Sequence, residues 1–324
     1  MLSRVADALY WMARNSERTE NNAHILGVQL VKMLEESVEE GLNNPDWKTI
    51  MDICASSVEY ENNYNEMTTQ NIVDYLALSD VNVNSLASTT SIVRENARMI
   101  RDTIPNELWE EWNDLFLFLK KEKNLEQFMY PDIYYFLQRI KTTSMTATGI
   151  IDSSNGNTVL LDLSYHFIKI GKWLERAEKT ARIMEVSLQR TRALPLSSYS
   201  EFDGKFALQL VNGHEDFSKK YRLQKPETIL QFLIADRTFP RSIRYCMEHV
   251  KKAIMEIESE KVAHYSWEMF VAIDDILTSV NTVCIEELSL EQAEEFISEL
   301  SEKCIKFGKI FSATYYLIEA DTEN

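Results

Sequence analysis

Glycine and proline are scarce in this chain: 324 residues contain only 8 Gly and 6 Pro. Few tight turns can form, so the elements between them must be long, and long elements favour helices. No run of alternating β-branched residues occurs, which argues against a sheet. The four cysteines, Cys54, Cys246, Cys284 and Cys304, form no Cys-x-x-Cys pair, so neither a disulfide framework nor a zinc knuckle is expected. Basic residues are outnumbered, 34 against 51 acidic, and the formal net charge is -17. That leaves no surplus for displacing counterions from a phosphate backbone, so nucleic-acid binding is not expected. No stretch approaches the roughly 18 apolar residues needed to span a bilayer. Arg4, Asp7 and Arg14 interrupt the N-terminal apolar residues that a signal peptide would need. These absences predict a reduced cytoplasmic protein. A Gly-rich phosphate loop, a Gly-x-Ser-x-Gly elbow and a His-Glu-x-x-His helix are all missing, so no catalytic residue can be assigned and no cofactor is expected.

What the chain does contain is a repeat. The segment beginning Glu17-Arg18-Thr19-Glu20 returns 158 positions later as Glu175-Arg176-Ala177-Glu178, with Ala, Ile, Val and Leu at matching offsets beyond it. Both copies sit in uninterrupted helical periodicity. Residues 2 to 38 place Leu2, Leu9, Ala23 and Leu30 in one column, and Ala6, Ala13, Glu20 and Gly27 in a flanking one. The small residues of that second column let another helix approach closely, with Glu20 at the edge of the seam. The pattern predicts an all-α protein: a single multi-helix bundle of about ten helices spanning 1–324, with pseudo-repeat halves of about 1–150 and 157–318. Single helices are expected over about 46–59 and 203–222, a further helix over 126–149 containing Pro131, and a linker over Arg192–Ser200. A weaker echo pairs Arg94, Arg98 and Arg101 with Arg241 and Arg244 as the arginine-rich helix of each half.

Glu17 and Glu20 are three residues apart, as are Glu175 and Glu178, so each pair shares a helix face. Four carboxylates could converge if the two helices met, as in di-iron bundles. Those bundles also need Glu-x-x-His pairs, which the duplicated helices lack, and no metal site is expected. An anion pocket could be assembled from Arg14, Arg18, Arg94, Arg98, Arg101, Lys172, Arg176, Arg182 and Arg241, because guanidinium forks match carboxylates and phosphates. The same groups could instead satisfy the glutamates as buried ion pairs that fix helix register.

The blocks that carry these residues resemble a known family. Leu2-Ser3-Arg4-Val5-Ala6 with Leu9-Tyr10-Trp11-Met12-Ala13-Arg14 and Glu17-Arg18-Thr19-Glu20-Asn21 looks like the N-terminal signature of the bacterial alpha-E domain family. The likeness continues through Arg94-Glu95-Asn96-Ala97-Arg98, Arg101-Asp102 and Glu107-Leu108-Trp109. It extends to Gly171-Lys172-Trp173-Leu174-Glu175-Arg176-Ala177-Glu178 and to Phe239-Pro240-Arg241-Ser242. Ala13 and Lys172 stand where Gly and Arg are expected, and Asn15 where an aromatic is; Lys172 loses bidentate geometry. The resemblance implies an all-helical cytoplasmic protein acting beside a circularly permuted ATP-grasp protein and a transglutaminase-like protein. It further implies an accessory, scaffolding or substrate-binding part in a peptide-ligase or tagging system. In that setting the binding set is Arg14, Glu17, Arg18, Glu20, Arg94, Glu95, Asn96, Arg98, Arg101, Lys172, Glu175, Arg176, Glu178, Arg182 and Arg241, holding a peptide or amino-acid ligand. The alternative is a helical enzyme that uses the Glu and Arg centre for acid/base or metal-assisted amide chemistry.

Overall fold

A computed structural model describes residues 3–39, 46–64, 66–122, 132–153, 159–194, 198–199, 202–259 and 262–315. Among them every regular element is a helix, so the chain is all-α. Fourteen α-helices are present among the described residues rather than about ten. They fall into two compact units, Trp11–Asp162 and Met1–Tyr10 with Leu163–Asn324.

The first unit holds α1 (Ser3–Glu39) from Trp11 onward, α2 (Trp47–Ile53), α3 (Ser57–Asn63), α4 (Thr69–Ala77), α5 (Leu86–Met99), α6 (Asn106–Glu122) and α7 (Asp132–Ser153). Within it α2 packs on α3 and α4, α4 on α5, α5 on α6, and α6 on α7. The second unit holds α8 (Val159–Arg192) from Leu163 onward, α9 (Gly204–Leu210), α10 (His214–Lys220), α11 (Pro226–Ala235), α12 (Ile243–Ile257), α13 (Trp267–Thr282) and α14 (Leu290–Thr314). Here α9 packs on α10 and α11, α11 on α12, α12 on α13, and α13 on α14. The order of elements and of neighbours is the same.

Local chemistry repeats in register 157 positions apart. Asp46 caps α2 by accepting from Thr49 N at 3.2 Å, and Asp203 caps α9 by accepting from Phe206 N at 2.9 Å. Ser85 caps α5 through Ser88 N at 3.0 Å while its hydroxyl donates to Ser79 O; Ser242 does the same for α12 through Tyr245 N at 3.1 Å and Asp236 O. Each cap satisfies one of the N–H groups left free at a helix start. An aromatic triad also recurs. Tyr60 stacks on Tyr64 and meets the edge of Tyr75, as Phe217 stacks on Tyr221 and meets the edge of Phe232.

The extra helices come from one structural device used twice. The expected helices at 46–59 and 203–222 each break after two turns, at Ala55 (φ 51°) and Asn212 (φ 53°). Ser56 N then donates to Met51 O at 2.9 Å, and Gly213 N to Leu208 O at 2.8 Å. This is the Schellman ending, which satisfies the last carbonyls of a helix through one left-handed residue. Pro131, expected within a helix, lies outside the described residues, as do 126–130 and, of the expected linker at 192–200, residues 195–197 and 200.

Candidate functional site

In the first unit the Glu-Arg helix carries an unusual run of buried polar side chains: Arg14, Asn15, Glu17, Thr19, Asn21 and Asn22. Glu17 is 3 % exposed and accepts from Asn21 Nδ2 at 3.3 Å. Thr19 Oγ1 donates back to Asn15 O at 2.7 Å and lies 2.8 Å from Thr89 Oγ1 on α5. Arg18 and Glu20 are half-buried. Arg18 Nη1 donates to Asn84 Oδ1 at 3.2 Å, and Asn22 Nδ2 to Asn84 O at 3.0 Å. Asn84 in turn donates through its backbone N–H to Asn82 Oδ1 and through Nδ2 to Ala55 O, each at 2.9 Å. Asn82 also takes the Ser56 hydroxyl at 3.2 Å. The motif arginine is thereby tied to the turn before α5 and to the break between α2 and α3.

In the second unit Glu175 and Arg176 are buried, at 4 % and 9 % exposure. Thr180 Oγ1 donates to Arg241 O at 2.8 Å. Thr180 and Arg241 occupy the repeat positions of Asn22 and Asn84, so the same tether from the motif helix to the same carbonyl exists twice. The surroundings of the arginine differ. Arg176 lies over the Trp173 ring, 4.8 Å from its centroid, with Lys172 at 5.5 Å. Trp173 is flanked by Tyr245 at 5.4 Å and His249 at 5.0 Å. A guanidinium over an indole face gains cation–π attraction of about 0.5–2 kcal/mol. In the first unit Asn15 takes the place of Trp173. Its Nδ2 folds back onto Trp11 O at 2.9 Å, and Arg14 lies 5.9 Å from the Trp11 ring centroid. Glu178, Lys172 and Arg241 are half-buried, whereas exposed Arg182 approaches Glu185 at 3.6 Å.

The α5 residues form a separate group. Arg94 contacts Glu95, donates through Nε to Asn113 Oδ1 at 3.0 Å and covers the rings of Phe116 and Trp109 on α6. Arg98 pairs with Glu95 at 2.7 Å, and Arg101 lies 5.7 Å from the Trp109 centroid. Asn96 Nδ2 returns to Ile92 O at 3.0 Å. Arg98 lies about 180° round α5 from Thr89, the residue that touches α1, at about 100° per residue. These arginines therefore decorate α5 and α6 rather than the face toward the motif helix.

The arginine echo is corrected by the register. Arg241 aligns with Asn84 in the turn before the helix, and the repeat counterpart of Arg94 is Lys251. The sequence reading matched residue type without matching position. It also missed Ser56, Asn82, Asn84, Thr89 and Thr180. The signal that could have found them is the serine cap at Ser85 and Ser242, which fixes the 157-residue offset and places Asn84 beside the motif. Among the described residues, no group of three or more His, Cys, Asp or Glu side chains is placed to hold a metal ion, and no helix is long and apolar enough to cross a membrane.

A family model described as Alpha-E, "a predicted alpha-helical domain with a conserved ER motif", matches residues 1–316. No curated protein and no solved structure gives a significant match. The chain carries the Glu-Arg pair twice, each time with its glutamate buried and on a long helix that is tied to the turn before the fifth helix of its unit. With nearly its whole length matched, the chain belongs to the Alpha-E family.

Proposed function

We propose that this protein is a non-catalytic accessory component of a cytoplasmic ATP-grasp peptide-ligase or tagging system, scaffolding the ligase or presenting its substrate. The observation that carries this reading is the doubled tether of the Glu-Arg helices, by Asn22 to Asn84 O and by Thr180 to Arg241 O. Two long helices fixed in this way hold carboxylates and guanidinium groups in set positions, which suits charged peptide ends: an amine pairs with Glu, a carboxylate with Arg. The circularly permuted ATP-grasp partner would supply the carboxylate activation and amide formation, and a transglutaminase-like protein would act in the same system.

The test is co-purification with a circularly permuted ATP-grasp protein from the same source. Amide-forming ATP turnover is then compared with this chain present, absent, or carrying Arg18→Ala. A complex whose turnover depends on this chain supports the accessory role. Turnover that is complete without it, with no complex on size exclusion, rejects that role.

A further inference from the structure

The polar contacts between the first and last helices differ between the two repeats: Arg192 of α8 pairs with Glu294 of α14 where the first repeat has Leu34 and Leu137, and a second difference lies deeper in the seam. In the second unit Glu185 of α8 is buried and accepts from Ser298 Oγ of α14 at 3.0 Å. The caps fix the register here too: Ile140 matches Ile297, buried Ser144 matches buried Ser301, and Ala147 matches Cys304. Lys141 of α7 then stands where Ser298 stands, and the 158-residue offset of the Glu-Arg repeat puts Gly27 of α1 where Glu185 stands. One repeat closes this seam with a carboxylate and a hydroxyl. The other has no side chain at the carboxylate position and a cation at the hydroxyl position.

What remains in the first unit is an incomplete set of partners. A Cβ on Gly27 would lie 3.7 Å from Leu137 Cδ1, so α1 and α7 approach closely there. Glu20 falls about 20° round α1 from Gly27, and Lys141 and Ser144 fall about 40° and 20° round α7 from Leu137. The Glu20 carboxylate acts on Lys141. In the second unit Glu185 meets Ser298 while Arg192, further along α8, meets Glu294 and Glu291, earlier on α14, so that pair runs antiparallel; the same order in the first unit puts Ser144 level with Glu20. Glu20 and Lys141 are both half-buried and so reach solvent. Among the described residues Lys141 makes no hydrogen bond and no ion pair within 4.0 Å. Ser144, 1 % exposed, has a hydroxyl with no hydrogen-bond partner. Buried polar groups are normally paired; the Ser144 hydroxyl is not, and the half-buried Lys141 amine lies on the same face of the same helix.

We propose that the α1–α7 seam of the first unit binds a small zwitterion, an amino acid or short peptide, whose ammonium pairs with Glu20 and whose carboxylate takes Lys141 and the Ser144 hydroxyl. Burial holds the Lys141 ammonium below the usual lysine range, and Glu20 opposes that only in part. An incoming carboxylate would complete the neutralisation. The assignment rests on the peptide-handling reading above and narrows it to one seam.

The experiment uses the purified full chain with no ligase present, so its outcome is independent of whether a complex forms. L-alanine and dialanine are titrated by calorimetry and by NMR, and their amino-blocked and carboxyl-amidated forms serve as controls. At least one zwitterion is expected to bind saturably, with either blocked form weaker by about tenfold or more, the worth of a hydrogen bond to a charged group. Lys141→Met should cause a similar loss without lowering the melting temperature, and Ser144→Ala a smaller one. Gly27→Glu, which installs the carboxylate found at Glu185, should abolish binding and raise the melting temperature. Differential acetylation gives a second readout: the zwitterion should protect the Lys141 amine in the wild type and not in Glu20→Gln. No binding at millimolar concentration, or binding by Lys141→Met equal to wild type, overturns the site even if the ligase complex is real.

Discussion

Where Ser56 in the first repeat donates its hydroxyl to Asn82, the second repeat has Gly213 lying against the ring of Phe239. The same exchange recurs nearby. Thr19 meets Thr89 through hydroxyls in the first unit, and the matching positions in the second are Ala177 and Cys246, both fully buried. Arg18 is held by the Asn84 side chain, whereas Arg176 is covered by Trp173. One scaffold has thus been fixed twice, by polar pins in one copy and by apolar and aromatic packing in the other. What both copies keep is the Glu-Arg pair, the tether to the carbonyl before the fifth helix, and the left-handed break. Those shared elements are the part that packing alone does not dictate, because the residues around them changed in chemical kind.

The largest effect should come from the shared part. Glu17 and Glu175 are buried, and neither stands without a partner. Replacing either by Ala leaves an opposing charge or donor uncompensated, at a cost of about 3–5 kcal/mol. Urea unfolding of Glu17→Ala and Glu175→Ala measures both, and the repeats count as energetically equivalent if the two losses agree within about 1 kcal/mol. A surface-like loss below about 1 kcal/mol in either would show that its carboxylate is solvated and free for a ligand.

The divergent pair can be exchanged between copies. Gly213→Ser puts a Cβ 2.7 Å from Phe239 Cζ, and overpacking of this kind costs about 1–3 kcal/mol. Combining it with Phe239→Asn recreates the Ser56 and Asn82 arrangement. If position 239 is what excludes a side chain at 213, thermal melts of the double variant should show a smaller loss than the two single losses added together. Strict additivity would mean that the two positions are not coupled.

A milder contrast lies in the aromatic triads. Tyr75 is fully buried and its hydroxyl has no hydrogen-bond partner, while its repeat counterpart is Phe232. Tyr75→Phe removes an unsatisfied group and should stabilise by about 1 kcal/mol at neutral pH. Burial, then Glu59 and the neighbouring Tyr64 and Tyr60, pushes the Tyr75 phenol up to about 12 from its ordinary 10.0. Below pH 10 folded and unfolded chains both hold that proton, so this group gives no pH dependence. Above pH 10 the unfolded chain releases it first, and stability falls as pH rises toward 12. The Tyr75→Phe variant should lose less stability than wild type between pH 10 and 12, as followed by urea midpoints.

Much of this organisation can be read from the residues, for physical reasons that also mark the limit. Scarce Gly and Pro and a sustained 3.6-residue period point to helices, and α1 runs Ser3–Glu39 against an expected 2–38. Periodicity reports one helix against a generic apolar neighbour, so it says nothing of Asn84 reaching Arg18 across 66 residues. Similarity of residue type misaligned the arginines, because Arg241 serves the tether through its backbone carbonyl, which any residue could supply. Lys141 lacks a sequence signature altogether. Its interest comes from what Gly27 removes on another helix.

The smallest effect concerns the helix break, which Ala55 conceals in the first repeat although Asn212-Gly213 signals it in the second. A non-glycine residue in the left-handed region costs about 1–2 kcal/mol, and Asn is among the residues that visit it most readily. Ala55 at φ 51° lacks the help that Asn212 has at φ 53°. Ala55→Gly relieves that strain but adds freedom to the unfolded chain worth about 0.5–1 kcal/mol, so a net gain of about 0.5 kcal/mol is expected. Asn212→Ala should cost a similar amount by giving the second break the residue of the first. Melting temperatures of the two variants should therefore move in opposite directions. A loss in Ala55→Gly would mean that the methyl group contributes more through its surroundings than the backbone angle costs, and that the two breaks share geometry without sharing energetics.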